Sequence, residues 1–149
     1  MFLLDSNVYI RGFREVEFGR QLQEFHRAEL SRLVVSAVVV SELLVGAQRP
    51  DRERALRRTL IDPFRARRRL ITPTWSTWEL ATVIDRRLRG RAGTRARLVQ
   101  RSFFHDILIA ASARELGATI VTMNLEDFAL IGRHVDIKYV GPWPLSPAV

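Results

Sequence analysis

"MFLLDSNVYI" (residues 1–10) is an apolar run, Phe2 to Leu4, that stops at a carboxylate, Asp5, followed by the small polar residues Ser6 and Asn7. Such a run reads as a buried strand carrying an acid at its C-terminal tip, the edge where parallel sheets keep their ligand sites.

Similar runs recur along the chain. "RLVVS" (32–36), "RRLITPT" (68–74), "ATIVTMN" (118–124) and "VDIKYVG" (135–141) read as further strands. Between them, helical periodicity spans Val16 to Leu30, "AVVVSELLVGAQR" (37–49), Asp51 to Phe64, "WSTWELATVIDRRLRG" (75–90), "HDILIAASARELG" (105–117) and "LEDFALIG" (125–132). Ser76 with Glu79 has the spacing of a capping box, and Gly117 suits a helix C-terminus. "GRAGTRARLVQRSFF" (90–104), with two glycines and four arginines, reads as containing a loop. Alternating β and α segments with uninterrupted apolar strands predict a three-layer α/β/α fold around a central, mostly parallel sheet.

The 149 residues, 47% hydrophobic, suffice for one domain with a substantial core, 1–149, ending in a proline-rich tail, "GPWPLSPAV" (141–149), which Trp143 could anchor. The absence of cysteine excludes disulfides and thiolate metal sites. The longest apolar stretch, Leu33 to Ala47, is interrupted by Ser36, Ser41 and Glu42 and is shorter than the roughly 20 residues of a membrane span. The N-terminus lacks a signal peptide's basic region, so the expectation is a cytoplasmic protein with no membrane partner. Formal charge is +8, and every basic residue except Lys138 is arginine. That composition suits a polyanion partner, and equally a GC-rich genome that enriches arginine at solvated positions.

Several acids interrupt apolar stretches. Asp5 ends the first strand. Glu42 lies on the face formed by Val38, Val39, Val45 and Gly46, where a carboxylate loses hydration without an evident partner. Asp106 starts a helix whose same face carries Ile109, Ala110, Ala113 and Gly117, and Asn124 and Asp127 follow a strand tip. Individually, Asp5, Asp106 and Asp127 could serve as turn or cap acids. In a doubly wound sheet, however, strand ends and helix starts converge on one edge. Asp5, Asp106 and Asn124 would meet there, with Glu42 in reach. Converging carboxylates raise one another's pKa unless a cation neutralises them. Oxygen ligands without cysteine point to Mg²⁺ or Mn²⁺ and to phosphodiester chemistry.

The stretches "LLDSNVYI", "SAVVVSELLVGA", "FFHDILIAASARELGATIVTMNLEDF" and the terminal "VGPW" together resemble the PIN-domain proteins, specifically VapC- and FitB-type toxins of bacterial toxin–antitoxin pairs. Residues 50–100 match in pattern only. The resemblance implies a metal-dependent endoribonuclease toxin with Asp5, Glu42 and Asp106 as catalytic metal ligands. Asn124 stands where the family has a fourth acid, which removes one charge, and Asp127 is placed to compensate. Ser6 and Thr122 are expected to support the carboxylates. In the family mechanism the metal activates water, leaving a 5′-phosphate and a 3′-hydroxyl.

RNA phosphates would lie along the densest basic stretch, Arg86, Arg87, Arg89, Arg91, Arg95, Arg97 and Arg101, which otherwise reads as a solvated face. Trp75 and Trp78 suit base stacking, or a core or dimer contact. The resemblance also implies a homodimer and inhibition by a cognate VapB-like antitoxin entering the acidic pocket. The alternative is a PIN fold that binds RNA without cutting it because Asn124 reduces the metal site. A haloacid-dehalogenase-like phosphatase fails at Asn7, where a second aspartate is needed. A phospho-receiver domain fails because Asp106 precedes a helix instead of ending a strand.

Overall fold

The apolar runs at 2–4, 33–36 and 119–121 become strands because both their faces are covered: Leu3, Leu4, Leu33 and Ile120 are fully buried. The computed structural model describes residues 1–90 and 100–143. Its strands are β1 (Phe2–Leu4), β2 (Leu33–Ser36), β3 (Leu70–Ile71), β4 (Thr119–Val121) and β5 (Lys138–Val140). They form one sheet in the order β3-β2-β1-β4-β5, and every pairing is parallel. In register, Leu3 lies opposite Val34 on one side and Ile120 on the other.

Among the described residues, the connecting helices are α1 (Ser6–Arg14), α2 (Val16–Glu29), α3 (Ala37–Gly46), α4 (Pro50–Leu56), α5 (Asp62–Ala66), α6 (Trp75–Arg89), α7 (Arg101–Leu116) and α8 (Leu125–Gly132). Every strand-to-strand connection carries at least one helix, and helices flanking the parallel sheet make the three-layer α/β/α architecture. The direction of winding reverses between β1 and β4, so a crevice opens at the C-terminal ends of those two strands.

Four local departures from the sequence reading have physical causes. Helix α1 fills the span between Asp5 and Glu15, where periodicity assigned no element; the short α1 is broken from α2 at Glu15, whose N–H bonds back to Arg11 O. The two helices cross closely at Gly12 and Gly19, where a Cβ on Gly19 would come within 2.5 Å of the Gly12 carbonyl oxygen. The helix expected from Asp51 to Phe64 is split by a π-turn over Arg57–Ile61, closed by Asp62 N–H to Arg57 O. The wider turn accommodates Pro63, which has no N–H to donate and whose ring crowds the preceding turn. Thr74, not Ser76, caps α6, in a capping box with Thr77 in place of Glu79; Ser76 donates instead to Glu115 at 2.8 Å.

The fourth departure moves a site residue. Helix α7 begins at Arg101, so Asp106 sits in its second turn, not at its start. Gly117 ends the helix in the left-handed conformation, at φ 63°. Trp143, the last described residue, packs on Phe25 and Phe18 with ring centroids 4.8 and 5.7 Å apart. The rest of the expected tail, 144–149, lies outside the described residues.

Candidate active site

Asp5 does two jobs at the crevice. Its N–H donates to Val121 O at 2.9 Å, extending the β1–β4 pairing, and its extended backbone (φ −71°, ψ 155°) makes it the N-cap of α1, with Oδ1 accepting from Ser6 N at 2.7 Å. Oδ2 accepts from the Thr122 hydroxyl and from Asn7 Nδ2, each at 2.7 Å. Thr122, just past β4 and fully buried, also accepts from Asn124 N–H at 2.9 Å. Asn7 binds both strand tips, because its Oδ1 accepts from Met123 N–H at 3.2 Å. Ser6 therefore supports Asp5 through its backbone N–H, and Thr122 through its hydroxyl.

Asn124 Nδ2 donates to Asp127 Oδ2 at 2.7 Å and to Asp106 Oδ2 at 3.3 Å, so the one non-acid of the set bridges two of its acids. Glu42, in the second turn of α3, meets His105 of α7: Nδ1 donates to Oε1 at 2.8 Å. Packing of α3 against α7 brings the two together. The face expected to bury Glu42 is only half covered, since Val38 and Val39 are buried but Val45 is exposed, which leaves Glu42 at its rim.

These groups feel one another. Burial lifts Asp106 to about 8, the charges of Asp5, Asp127 and Glu42 add to the rise, and the Asn124 hydrogen bond opposes it. Burial pushes Asp5 up to about 6 against the hydrogen bonds from Thr122 and Ser6, with Glu42 adding to the rise. Buried carboxylates that repel in this way are hard oxygen donors suited to a divalent cation. Each is nonetheless engaged by a neighbour, and among the described residues no three Asp, Glu or His side chains are gathered closely enough to hold a cation as they stand.

Beside Glu42 opens a cleft of about 500 Å³ lined by Ile10, Phe13, Leu43 and Leu56, with Arg14 and Arg52 also on its wall. Of the basic residues expected to cradle RNA, Arg86 and Arg87 are exposed at the end of α6, Arg89 pairs with Asp85 at 2.8 Å, and Arg101 opens α7. Arg91, Arg95 and Arg97 lie outside the described residues. Trp75 is 76% exposed, and Trp78, 43% exposed, packs at a tilt against Phe104 with ring centroids 6.0 Å apart.

Two residues of this site carry little sequence signal. Asn7 stands two positions past Asp5 as an ordinary turn residue, and its link to β4 is visible only in three dimensions. His105 directly precedes Asp106, but its partner is 63 positions away.

A doubly wound parallel α/β/α sheet with carboxylates gathered at its switch point is the class that fold and site define. The PIN domain family matches residues 2–133, and the chain belongs to that family. Solved structures share its fold. The DNA-bound VapBC from Salmonella typhimurium matches at 24% identity and TM-score 0.68, over 94% of this chain and 96% of that one. FitAcB from Neisseria gonorrhoeae matches at 22% and 0.65, over 96% and 99%. VapBC-1 from nontypeable Haemophilus influenzae matches at 19% and 0.63, over 94% and 96%. No curated protein matches the chain. Among the described residues, no helix is long and apolar enough to cross a membrane.

Proposed function

We propose that this chain is a metal-dependent endoribonuclease of the toxin kind, working in the cytoplasm as a homodimer and neutralised by a cognate antitoxin. One observation carries the reading: Asp106 is buried beside Asp5, Asp127 and Glu42 at the switch point of a PIN fold, and is pushed to about 8. Buried carboxylates that raise one another's pKa are costly unless something neutralises them.

The donor chemistry fits Mg²⁺ or Mn²⁺, which Asp5, Glu42 and Asp106 would hold. When bound, the cation supplies charge neutralisation and activation of water for attack on a phosphodiester. Thr122, Asn7 and the Ser6 N–H fix the Asp5 carboxylate by hydrogen bonds to both its oxygens. Asn124 ties Asp106 to Asp127 and takes the fourth position, with Asp127 as the charge behind it. Exposed Arg86, Arg87 and Arg101, with Arg14 and Arg52 beside the cleft, offer forked donors to RNA phosphates.

The VapBC and FitAcB neighbours support an antitoxin partner, and the apolar cleft next to Glu42 is a seat for a segment whose basic end reaches the acids. The exposed Trp75 and Trp78 face is the proposed contact between protomers.

The test is cleavage of an end-labelled structured RNA pool in Mg²⁺ or Mn²⁺, against EDTA, beside folded Asp5→Asn and Glu42→Gln variants. Metal-dependent cutting that both variants abolish is the expected result. RNA binding that persists in EDTA, with every substrate left intact, would favour a non-catalytic RNA-binding PIN protein.

A further inference from the structure

Glu42 is the odd member of the acid set. Asp5 and Asp106 sit on short side chains, but Glu42 reaches the crevice on a longer one with an extra rotatable bond, and Asp5 and Asp106 both register its negative charge. Repulsion should swing such a side chain out toward the open cleft it also lines. It is held instead by His105, whose Nδ1 lies 2.8 Å from Oε1, with the two side chains only 16% and 19% exposed. A carboxylate can only accept, so the contact fixes the Nδ1–H form of the ring. Among the described residues, Oε2 has no hydrogen-bond partner.

We propose that His105 is a positioning residue for cation binding: its Nδ1–H clamps Glu42 Oε1 and so leaves Oε2 as the oxygen offered to the metal. The inference rests on the metal-dependent reading above and adds a residue to it. Loss of a hydrogen bond that orients a metal-ligating side chain typically costs roughly 10- to 100-fold in metal affinity. His105 acts through Glu42, because its ring is rooted on α7 one residue before Asp106 and its acceptor belongs to α3.

The experiment is calorimetric titration of Mn²⁺ into metal-stripped protein, for wild type, Glu42→Gln, His105→Phe, His105→Asn and the double variant His105→Phe/Glu42→Gln. Phenylalanine keeps the ring volume without a donor, and asparagine restores an N–H near the position of Nδ1. Far-UV circular dichroism confirms that each is folded, and His105→Ala replaces His105→Phe should that variant fail to fold.

Expected is a loss of roughly 10- to 100-fold in Mn²⁺ affinity for His105→Phe, recovered in His105→Asn. The double variant should bind no more weakly than Glu42→Gln alone. Wild-type affinity in His105→Phe would overturn the inference and leave the nuclease reading standing. A double variant weaker than Glu42→Gln would overturn it too, by showing that His105 reaches the metal independently of Glu42. A wild-type protein that takes up no Mn²⁺ would remove the metal-dependent reading and the inference together.

Discussion

The Thr122 hydroxyl donates to Asp5 Oδ2 at 2.7 Å across 117 positions of sequence, joining the tips of β1 and β4. The Thr122 hydroxyl oxygen accepts in turn from Asn124 N–H, so removing it takes one of three donors from the buried Asp5 carboxylate and the acceptor from a backbone N–H. Thr122→Val should destabilise the fold by about 1–3 kcal/mol, and Thr122→Ser should recover most of that. Urea denaturation checks it, and equal stability of the valine variant would contradict the network.

Asp106 holds its proton up to about 8 when folded, against an ordinary value of 3.8. Between those values the folded state carries the extra proton, so stability falls as pH rises through the window. Buried His26, held down to about 4, has the opposite slope below about 6.5, which leaves the range above 6.5 as the clean one to read. Metal-free wild type should lose stability between about pH 6.5 and 8.5, and Asp106→Asn should flatten the slope and gain on the order of 1–3 kcal/mol at the alkaline end. Denaturant midpoints across pH decide it; a wild-type midpoint that is level or rises would refute it.

Mn²⁺ at about 100 times its dissociation constant should stabilise the wild type by about 2.7 kcal/mol, read as a rise of several degrees in Tm. Asp106→Asn, already relieved of the buried charge, should show little of that rise. An equal shift in both proteins would place the cation elsewhere.

The aromatic face of α6 makes a prediction about mass. If the proposed dimer forms through it, Trp75→Ala combined with Trp78→Ala should leave only the 17.2 kDa chain in light scattering. If the dimer survives while RNA affinity drops, the two indoles stack bases instead.

At the α1–α2 crossing, Gly19→Ala should destabilise by about 1–3 kcal/mol, because the atom its Cβ meets is a backbone carbonyl that cannot turn aside. Gly46→Ala, with nothing within 4 Å of its new methyl, should instead gain up to about 1 kcal/mol from helix propensity. Thermal unfolding of the pair separates packing from propensity.

The three central strands, β1, β2 and β4, were legible in the sequence because each is a dense, largely buried apolar run, whereas the edge strands β3 and β5 are only half-buried, and Asp5 was legible because it stops one. Helix α1 was not: it is only nine residues long and starts directly behind a strand tip and a capping acid, too short for a helical period to stand out. The start of α7 was obscured by the arginine-rich run before it, which moved Asp106 from a helix start into its second turn. Glu42 was conspicuous as a lone acid among valines and leucines, but its partner His105 was invisible, since no spacing rule links two helices across the crevice. Asn7 served only to exclude a phosphatase, although it bridges the two strand tips.

The placement of these residues along the chain has a practical corollary. Asp5 and Glu42 precede Gly90, whereas His105, Asp106, Asn124 and Asp127 follow Gln100. A polypeptide cut between those points yields one fragment with β1, β2 and β3 and another with β4 and β5, and neither owns a complete set of acids. Recombined fragments would bring the acids together only with β4 docked beside β1, which would make a two-piece complementation assay a direct readout of that strand pairing.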